Sequence, residues 1–281
     1  MYTLSIHGQL LSLHEPQVMG ILNITPDSFY SGSRTEAEDD ICRRLHQLMD
    51  EGADMIDVGA YSTRPGADDV SEEEEMERLR RGLRVVRREY PEVPLSVDTF
   101  RANVARMAVE EEGADIINDI SGGCEEMYEA VAERHVPYVL MHMRGTPKTM
   151  QQMTDYEDIM SEMMAYFQSR IDRLHRMGVA DVIVDPGFGF AKTVEQNYEV
   201  LRRMQEFEAL GCPLLAGLSR KSMFYKPLGI TPEEALNATT AANMLALERG
   251  ANILRVHDVR AAVETREVYV RTALRAKRPL C

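Results

Sequence analysis

Three side chains, Asp98, Asn118 and Asp185, each close a short apolar run, and a cationic or anion-seeking set, Asn23, Arg64, Arg220, Lys221, Arg255 and His257, stands on or just after similar runs. Two carboxylates with a carboxamide suit a flat heterocycle that has a guanidine-like edge. A carboxylate accepts paired N–H donors, and an amide both donates and accepts. Arginines in a partly enclosed site favour phosphate or pyrophosphate through bidentate, charge-assisted hydrogen bonds.

Each of these residues also has a plainer use. A strand-end aspartate can cap the next helix, and Asp98 is followed by Thr99 and a helical stretch. Asp185 precedes Pro186-Gly187-Phe188-Gly189-Phe190, too tight a turn for simple capping. Arg220 and Lys221 could form a solvated pair, yet they follow directly on the small, apolar Ala216-Gly217-Leu218-Ser219. His257 and Arg255 are two residues apart, which puts both on one strand face. His142, beside Met141, has no second histidine at ligand spacing, so a packed or hydrogen-bonded role is expected rather than a metal ligand.

The elements that must position these residues are eight apolar runs: Val18 to Asn23, Met55 to Gly59, Val93 to Asp98, Asp115 to Asn118, Pro137 to His142, Asp181 to Asp185, Pro213 to Gly217 and Asn252 to His257. Helix-like segments lie between them. Eight βα units predict a (β/α)₈ TIM barrel, whose chemistry sits at the C-terminal ends of the strands. Asn23, Asp98, Asn118, Asp185, Arg255 and His257 are then expected to face one pocket. Weak alternation over about residues 2–13 around His7-Gly8 predicts an N-terminal β-hairpin that closes the barrel floor. The connections Thr25 through Ser33 and Tyr61 through Val70 are rich in turn residues and hydroxyls, the composition of mobile, functional βα loops.

Ser71-Glu72-Glu73-Glu74 reads as a capping box, and Thr231-Pro232-Glu233-Glu234 as a second helix start with proline at the first helical position. The run Glu72 to Glu75 is expected to be a solvated helix start. Met160, Met163, Met164 and Met177 recur at roughly helical spacing and predict a packing face. No internal repeat beyond the βα units and no low-complexity linker divides the chain, so residues 1–281 are read as a single domain.

At 281 residues, with 44% apolar content, the chain suits one large barrel. Its net charge of −14, from 46 acidic and 32 basic residues, argues against a nucleic-acid or anionic-membrane surface, though a local cationic pocket remains compatible with it. Cys42, Cys124, Cys212 and Cys281 are 82, 88 and 69 residues apart and match no metal-ligand pattern. Four cysteines with no secretory signal suggest reduced thiols and a cytoplasmic protein. No run approaches membrane-spanning length.

Taken together, Met19-Gly-Ile-Leu-Asn-Ile-Thr-Pro-Asp-Ser-Phe29, Ser62-Thr-Arg-Pro-Gly66, Val97-Asp-Thr99, Ile117-Asn-Asp-Ile-Ser-Gly-Gly123, the segment from Met141 to Gln151, Asp185-Pro-Gly-Phe-Gly-Phe190, Gly217-Leu-Ser-Arg-Lys-Ser222 and Arg255-Val-His-Asp-Val259 resemble the dihydropteroate synthase family, in order, over about residues 18 to 260. That resemblance implies attack of p-aminobenzoate on 6-hydroxymethyl-7,8-dihydropterin pyrophosphate, with release of pyrophosphate and formation of 7,8-dihydropteroate for folate synthesis. It implies that Asp98, Asn118, Asp185 and Lys221 hold the pterin, with Met141, Phe190 and Gly217 shaping its slot. Asn23 would bind Mg²⁺ with the pyrophosphate, and Arg64, Arg255 and His257 would contact the phosphates. Ser28, Phe29, Thr63, Pro65 and Ser219 would frame p-aminobenzoate, which sulfonamides mimic. A homodimer through helices near the end of the barrel is also implied. Asp98, Asp185, Lys221 and Arg64 are the residues expected to carry the chemistry.

The chain departs from that pattern at Ala60-Tyr61, at Ala191, where glycine is expected, and at Tyr30-Ser31-Gly32-Ser33. The competing functions are a pterin-dependent methyltransferase, a Schiff-base aldolase using Lys221, and a non-catalytic pterin-binding homologue. The first and last are expected to lack the loop motifs that this chain contains.

Overall fold

A computed structural model describes residues 2–24, 34–61 and 70–274. Its first element is the predicted hairpin: β1 (Thr3–Ile6) pairs antiparallel with β2 (Gln9–Ser12). The two turn residues, His7 and Gly8, both take positive φ, as a two-residue turn joining right-twisted strands requires.

Eight strands follow: β3 (Gln17–Asn23), β4 (Met55–Gly59), β5 (Leu95–Asp98), β6 (Ile116–Asp119), β7 (Tyr138–Met141), β8 (Val182–Asp185), β9 (Leu214–Ala216) and β10 (Ala251–Val256). They close as β10-β3-β4-β5-β6-β7-β8-β9, each pair parallel. Every predicted run is a barrel strand, with ends that differ by at most two residues. Strands covered by helices outside and side chains inside have no solvated face, which is why their sequences read as continuous apolar runs rather than alternating ones.

The outer ring comprises α1 (Arg34–Asp50), α2 (Glu72–Glu89), α3 (Ala102–Glu110), α4 (Glu125–Arg134), α5 (Ile159–Arg176), α6 (Val194–Arg203), α7 (Ser222–Leu228), α8 (Leu236–Glu248) and α9 (Val259–Tyr269). Met160 and Met163 are fully buried on α5, with Met164 and Met177 packed against the same core, as the methionine spacing predicts. Ser71 caps α2 by accepting from the Glu74 N–H at 3.2 Å. The second predicted start is displaced: Thr231 pairs with Glu234, but a 3₁₀ turn at Glu233–Ala235 precedes α8. Thr193 and Gln196 form a reciprocal capping box on α6.

One expectation about α2 fails in part. Glu75 is not solvated but wholly buried. It lies four residues before Leu79 and eight before Leu83, so the helical period carries it to the core side. Thr99 Oγ1 at 2.7 Å and Arg101 at 2.6 Å satisfy its carboxylate.

Inside the barrel, Met19, Met55, Ile116, Val139, Ile183, Leu215 and Ile253 form an apolar floor. Leu4, Ile6 and Leu13 of the hairpin segment pack onto it from below. Asp181 accepts from the Ser5 N–H at 2.7 Å, and Asp115 pairs with His7 at 2.8 Å. Carboxylates at the N-terminal ends of the strands thus hold the plug, a structural use expected of that end of the barrel. Two residues further along, on the same face, several positions change character: Asp57, Asn118, Asp185 and Arg255 are polar, and Gly217, just past β9, has no side chain.

Candidate active site

The parallel register places Asn23, Gly59, Asp98 and Asn118 side by side on β3, β4, β5 and β6. A Cβ on Gly59 would sit 3.5 Å from both Asn23 Oδ1 and Asp98 Cβ. Glycine therefore keeps the space between those two polar groups open. One step deeper on β4, Asp57 is fully buried. Its Oδ2 accepts from Arg255 Nε at 2.6 Å and from the Asn118 amide at 3.1 Å. The same Arg255 donates to Asp98 Oδ2 at 2.6 Å. One guanidinium thus bridges two carboxylates, and Asn118 donates one of its two amide N–H groups to Asp57, which turns its carbonyl oxygen and second N–H to the ligand side.

Asp185 closes β8 and accepts from the Gly187 N–H at 2.8 Å. Gly187 has φ +66, and a Cβ there would fall 2.2 Å from the His142 carbonyl oxygen. Only glycine permits the turn that carries Phe190 over the mouth. Ala191 occupies the left-handed region at φ +48, where the family pattern has glycine, and an alanine holds that conformation at a cost of about 1–2 kcal/mol. Its carbonyl accepts from Tyr156 at 2.8 Å. Beneath the turn, buried Lys192 donates to His142 Nδ1 at 3.1 Å, to Gly187 O at 3.0 Å and to Phe190 O at 3.1 Å. Those three acceptors match an ammonium's three donors. His142 is accordingly packed and hydrogen-bonded, with its ring edge-on to Tyr166 at 4.7 Å.

Lys221 follows β9 and reaches over the Phe190 ring, 4.6 Å from its centroid. Phe190 and Phe100 pack beside Ile120, Met141, Met143 and Met150, which makes one wall of the mouth apolar. Gly217 opposite leaves its floor open: a Cβ there would meet only Asp185 Oδ2, at 3.9 Å. The opening therefore has an apolar wall, acceptors at Asp98, Asn118 and Asp185, and cations at Lys221 and Arg255, a combination suited to a flat, donor-rich ring.

Burial raises Asp98 to about 7; Arg255 opposes that shift and Asp57 adds to it. Burial also raises Asp185, against the Gly187 N–H and Lys221. Lys221 is lowered by burial to about 8, with Asp185 opposing, and Lys192 is lowered to about 7 for the same reason. Burial works against the Arg255 guanidinium too, but Asp57 and Asp98 outweigh it and hold it above its ordinary value. The carboxylates are therefore charged at a cost that a ligand's donors would relieve.

The sequence-predicted residues Asn23, Asp98, Asn118, Met141, Asp185, Phe190, Gly217, Lys221 and Arg255 come together at this mouth. Ser219 Oγ accepts from the His257 N–H at 3.2 Å, which puts those two residues together at the β9–β10 edge. Arg220 does not join the pocket set. Its guanidinium pairs with both Asp258 oxygens at 2.8 Å and donates to the Pro232 and Glu233 carbonyls, clamping the start of α9 to the segment before α8. Asp98 caps no helix, since α3 begins after Arg101. Ser28, Phe29, Thr63, Arg64 and Pro65, with residues 25–33 and 62–69 of the loops that carry them, lie outside the described residues. Asp57 went unnominated in the sequence; its signal was a lone carboxylate inside the buried run Met-Ile-Asp-Val-Gly. Among the described residues no three His, Cys, Asp or Glu side chains gather to hold a metal.

Fold and site together define a (β/α)₈ barrel whose C-terminal mouth is suited to a hydrogen-bonding heterocycle. The model of the pterin-binding enzyme family matches residues 19–257. The dihydropteroate synthase of Escherichia coli K12 is 43% identical over 273 residues, 96% of each chain. The structure is similar to the Yersinia pestis dihydropteroate synthase in complex with a sulfonamide drug, with a TM-score of 0.89 and 39% identity, covering 96% of this chain and 99% of that one. It is similar also to the Xanthomonas albilineans enzyme with 4-aminobenzoic acid, with a TM-score of 0.88 and 39% identity over 98% and 99% of the two chains. The chain belongs to the pterin-binding enzyme family, among its dihydropteroate synthases.

Proposed function

We propose that this protein joins 6-hydroxymethyl-7,8-dihydropterin pyrophosphate to p-aminobenzoate, forming 7,8-dihydropteroate in folate biosynthesis and releasing pyrophosphate. The observation that carries the reading is the placement of Asp98, Asn118, Asp185 and Lys221 around one opening, with Arg255 bridging Asp98 to the Asp57 that also holds Asn118. Asp98 and Asp185 would accept the ring's N–H groups, Asn118 would offer its carbonyl, and Phe190 and Met141 would cover the apolar face. Arg255 and His257 would meet the phosphates, together with Arg64. Ser219, with Ser28, Phe29, Thr63 and Pro65, would receive the arylamine.

In the reaction, the arylamine nitrogen bonds to the exocyclic methylene carbon, the C–O bond to pyrophosphate breaks, and the amine gives up a proton. Positive charge grows on the methylene and spreads into the ring as the bond breaks. The carboxylates of Asp98 and Asp185 would stabilise it, strongly because they sit in a partly water-excluded mouth. An arylamine is largely neutral near pH 7, so a dedicated base is not required of the site.

Mg²⁺ belongs to this reading. Hard cations take oxygen ligands and bind through one or two protein groups plus substrate phosphates. The Asn23 carboxamide, beside the space that Gly59 leaves open, fits that role, and the ion would neutralise the leaving group. A homodimer is also part of it. Tyr198, Leu228, Leu236 and Leu245 are exposed on α6 to α8, apolar surface that a second copy would cover. A cytoplasmic location accords with the free thiols of Cys42, Cys124 and Cys212; among the described residues no helix is long and apolar enough to cross a membrane.

Pyrophosphate release from the pterin substrate, followed with and without p-aminobenzoate, tests the function. Release that requires the arylamine, with matching dihydropteroate, is expected. Equal release without it would indicate a hydrolase, and no release would sink the reading.

A further inference from the structure

We infer that Asp57 is a positioning residue for the reaction: it anchors Arg255 when the incoming ring displaces that arginine from Asp98. The inference rests on the proposed role of Asp98 as an acceptor for the ring. Without ligand, Arg255 is divided. Its Nε and one terminal nitrogen both approach the single oxygen Oδ2 of Asp57 at 2.6 Å, and the same terminal nitrogen serves Asp98.

Asp57 Oδ1 is buried and, among the described residues, has no hydrogen-bond partner. A buried carboxylate oxygen with no donor is costly, and such groups rarely occur without a use. Here the use follows from the geometry. When paired N–H donors of the ring occupy Asp98, the terminal N–H of Arg255 is released. Asp57 can then accept it on Oδ1, converting a one-oxygen contact into the two-oxygen fork that carboxylate and guanidinium prefer. Arg255 stays charged, compensated and aimed across the mouth, instead of collapsing onto the ligand's own acceptor.

Asp57 also fixes Asn118 through the amide that donates to Oδ2. A single buried carboxylate therefore orients one ring contact and one anion contact. Gly59, two residues on along the same strand face, adds no side chain between Asn23 and Asp98. No other described acidic side chain pairs with Arg255 apart from Asp98.

The test is a double-mutant cycle on binding of the pterin pyrophosphate, using Asp57→Asn, Arg255→Ala and the double variant. Asn keeps the shape and one acceptor but loses the charge. Asp57→Asn is expected to weaken pterin pyrophosphate binding by about tenfold, the worth of one charge-assisted contact. In the Arg255→Ala background the same substitution is expected to cost only about twofold to threefold, the share that passes through Asn118, as coupled residues require. An equal loss in both backgrounds, or no loss in either, overturns the proposal, because Asp57 would then serve the fold or Asn118 alone.

Should the variants fail to fold, the Arg255 Nε–H resonance of the wild-type protein decides. A signal that stays protected and shifted on saturation with the pterin supports the anchor, and its move to the position of a free guanidinium refutes it. Failure of the underlying reading is visible separately, as absence of pterin binding by the wild type before any variant is compared, and it removes the proposal as well.

Discussion

Replacing Asp185 with asparagine is expected to separate function from stability in opposite directions. The carboxylate uses Oδ1 for the Gly187 N–H at 2.8 Å, and Oδ2 faces the space that Gly217 leaves empty, 3.9 Å from where a Cβ would stand. Oδ2 is therefore the atom that a ring N–H would meet. The substituted asparagine could keep the first bond through its carbonyl oxygen and would turn its NH₂ toward the ligand's donor. The variant loses a charge-assisted hydrogen bond, about 1.5–3 kcal/mol, and leaves a ligand donor facing another donor. Since about 1.4 kcal/mol is tenfold, pterin affinity is expected to fall between about tenfold and a few hundredfold, and turnover at least as much. Stability should not follow. Burial raises the pKa of Asp185, so at neutral pH the folded state carries a charge it would rather lose, and a neutral amide removes that penalty. Isothermal titration with the pterin, steady-state turnover and a thermal melt of the same preparation give all three quantities. Unchanged affinity with normal turnover would refute the reasoning, as would a fall in Tm that parallels the loss of binding.

Further outcomes follow from the same geometry. Arg255→Ala should weaken pterin pyrophosphate far more than the pterin alcohol in competitive titrations; because it also strips Asp57 and Asp98 of their cation, a lower Tm is expected alongside, and equal losses for the two ligands would assign Arg255 to the ring or the fold. Asp98, raised to about 7, binds a proton more readily in the folded chain than in the unfolded one, so its contribution to stability is greatest at low pH and is lost as pH rises toward 7. Asp98→Asn should therefore flatten that part of a Tm-versus-pH curve, while wild-type pterin affinity should weaken as pH falls through about 7, and a variant curve parallel to the wild type would count against the assignment. p-Aminobenzoate should bind more tightly when pyrophosphate and Mg²⁺ are present, since the residues assigned to it, Phe29, Thr63 and Pro65, flank those assigned to the anion, Asn23 and Arg64. That coupling must be reciprocal, and equal arylamine affinities with and without pyrophosphate would show a preformed site.

What the sequence determined by itself was the frame and the identity of most of the site. Eight apolar runs closing on polar residues announce parallel strands covered on both faces, and the C-terminal position of Asp98, Asn118, Asp185 and Arg255 in their runs assigns them to one mouth, because a barrel gathers those strand ends together. The His7-Gly8 turn and the Ser71 cap were legible for the same reason: both are local. Tertiary structure alone decided who pairs with whom. Arg255 and Asp57 are 198 residues apart in the chain, and nothing local tells that arginine to bridge two carboxylates before it meets any anion. Arg220 and Lys221 look alike in sequence; the left-handed φ of +51 at Arg220 helps send one guanidinium out to Asp258, while its neighbour reaches over Phe190. Glu75 reads as one more charge at an acidic helix start, and becomes buried only because Thr99 and Arg101, arriving from the end of β5, supply the donors that make burial tolerable. Asp57 was overlooked on the same ground: a carboxylate within an apolar strand has no local explanation, and its meaning appears only when closure of the barrel brings β10 against β3 and carries Arg255 to it.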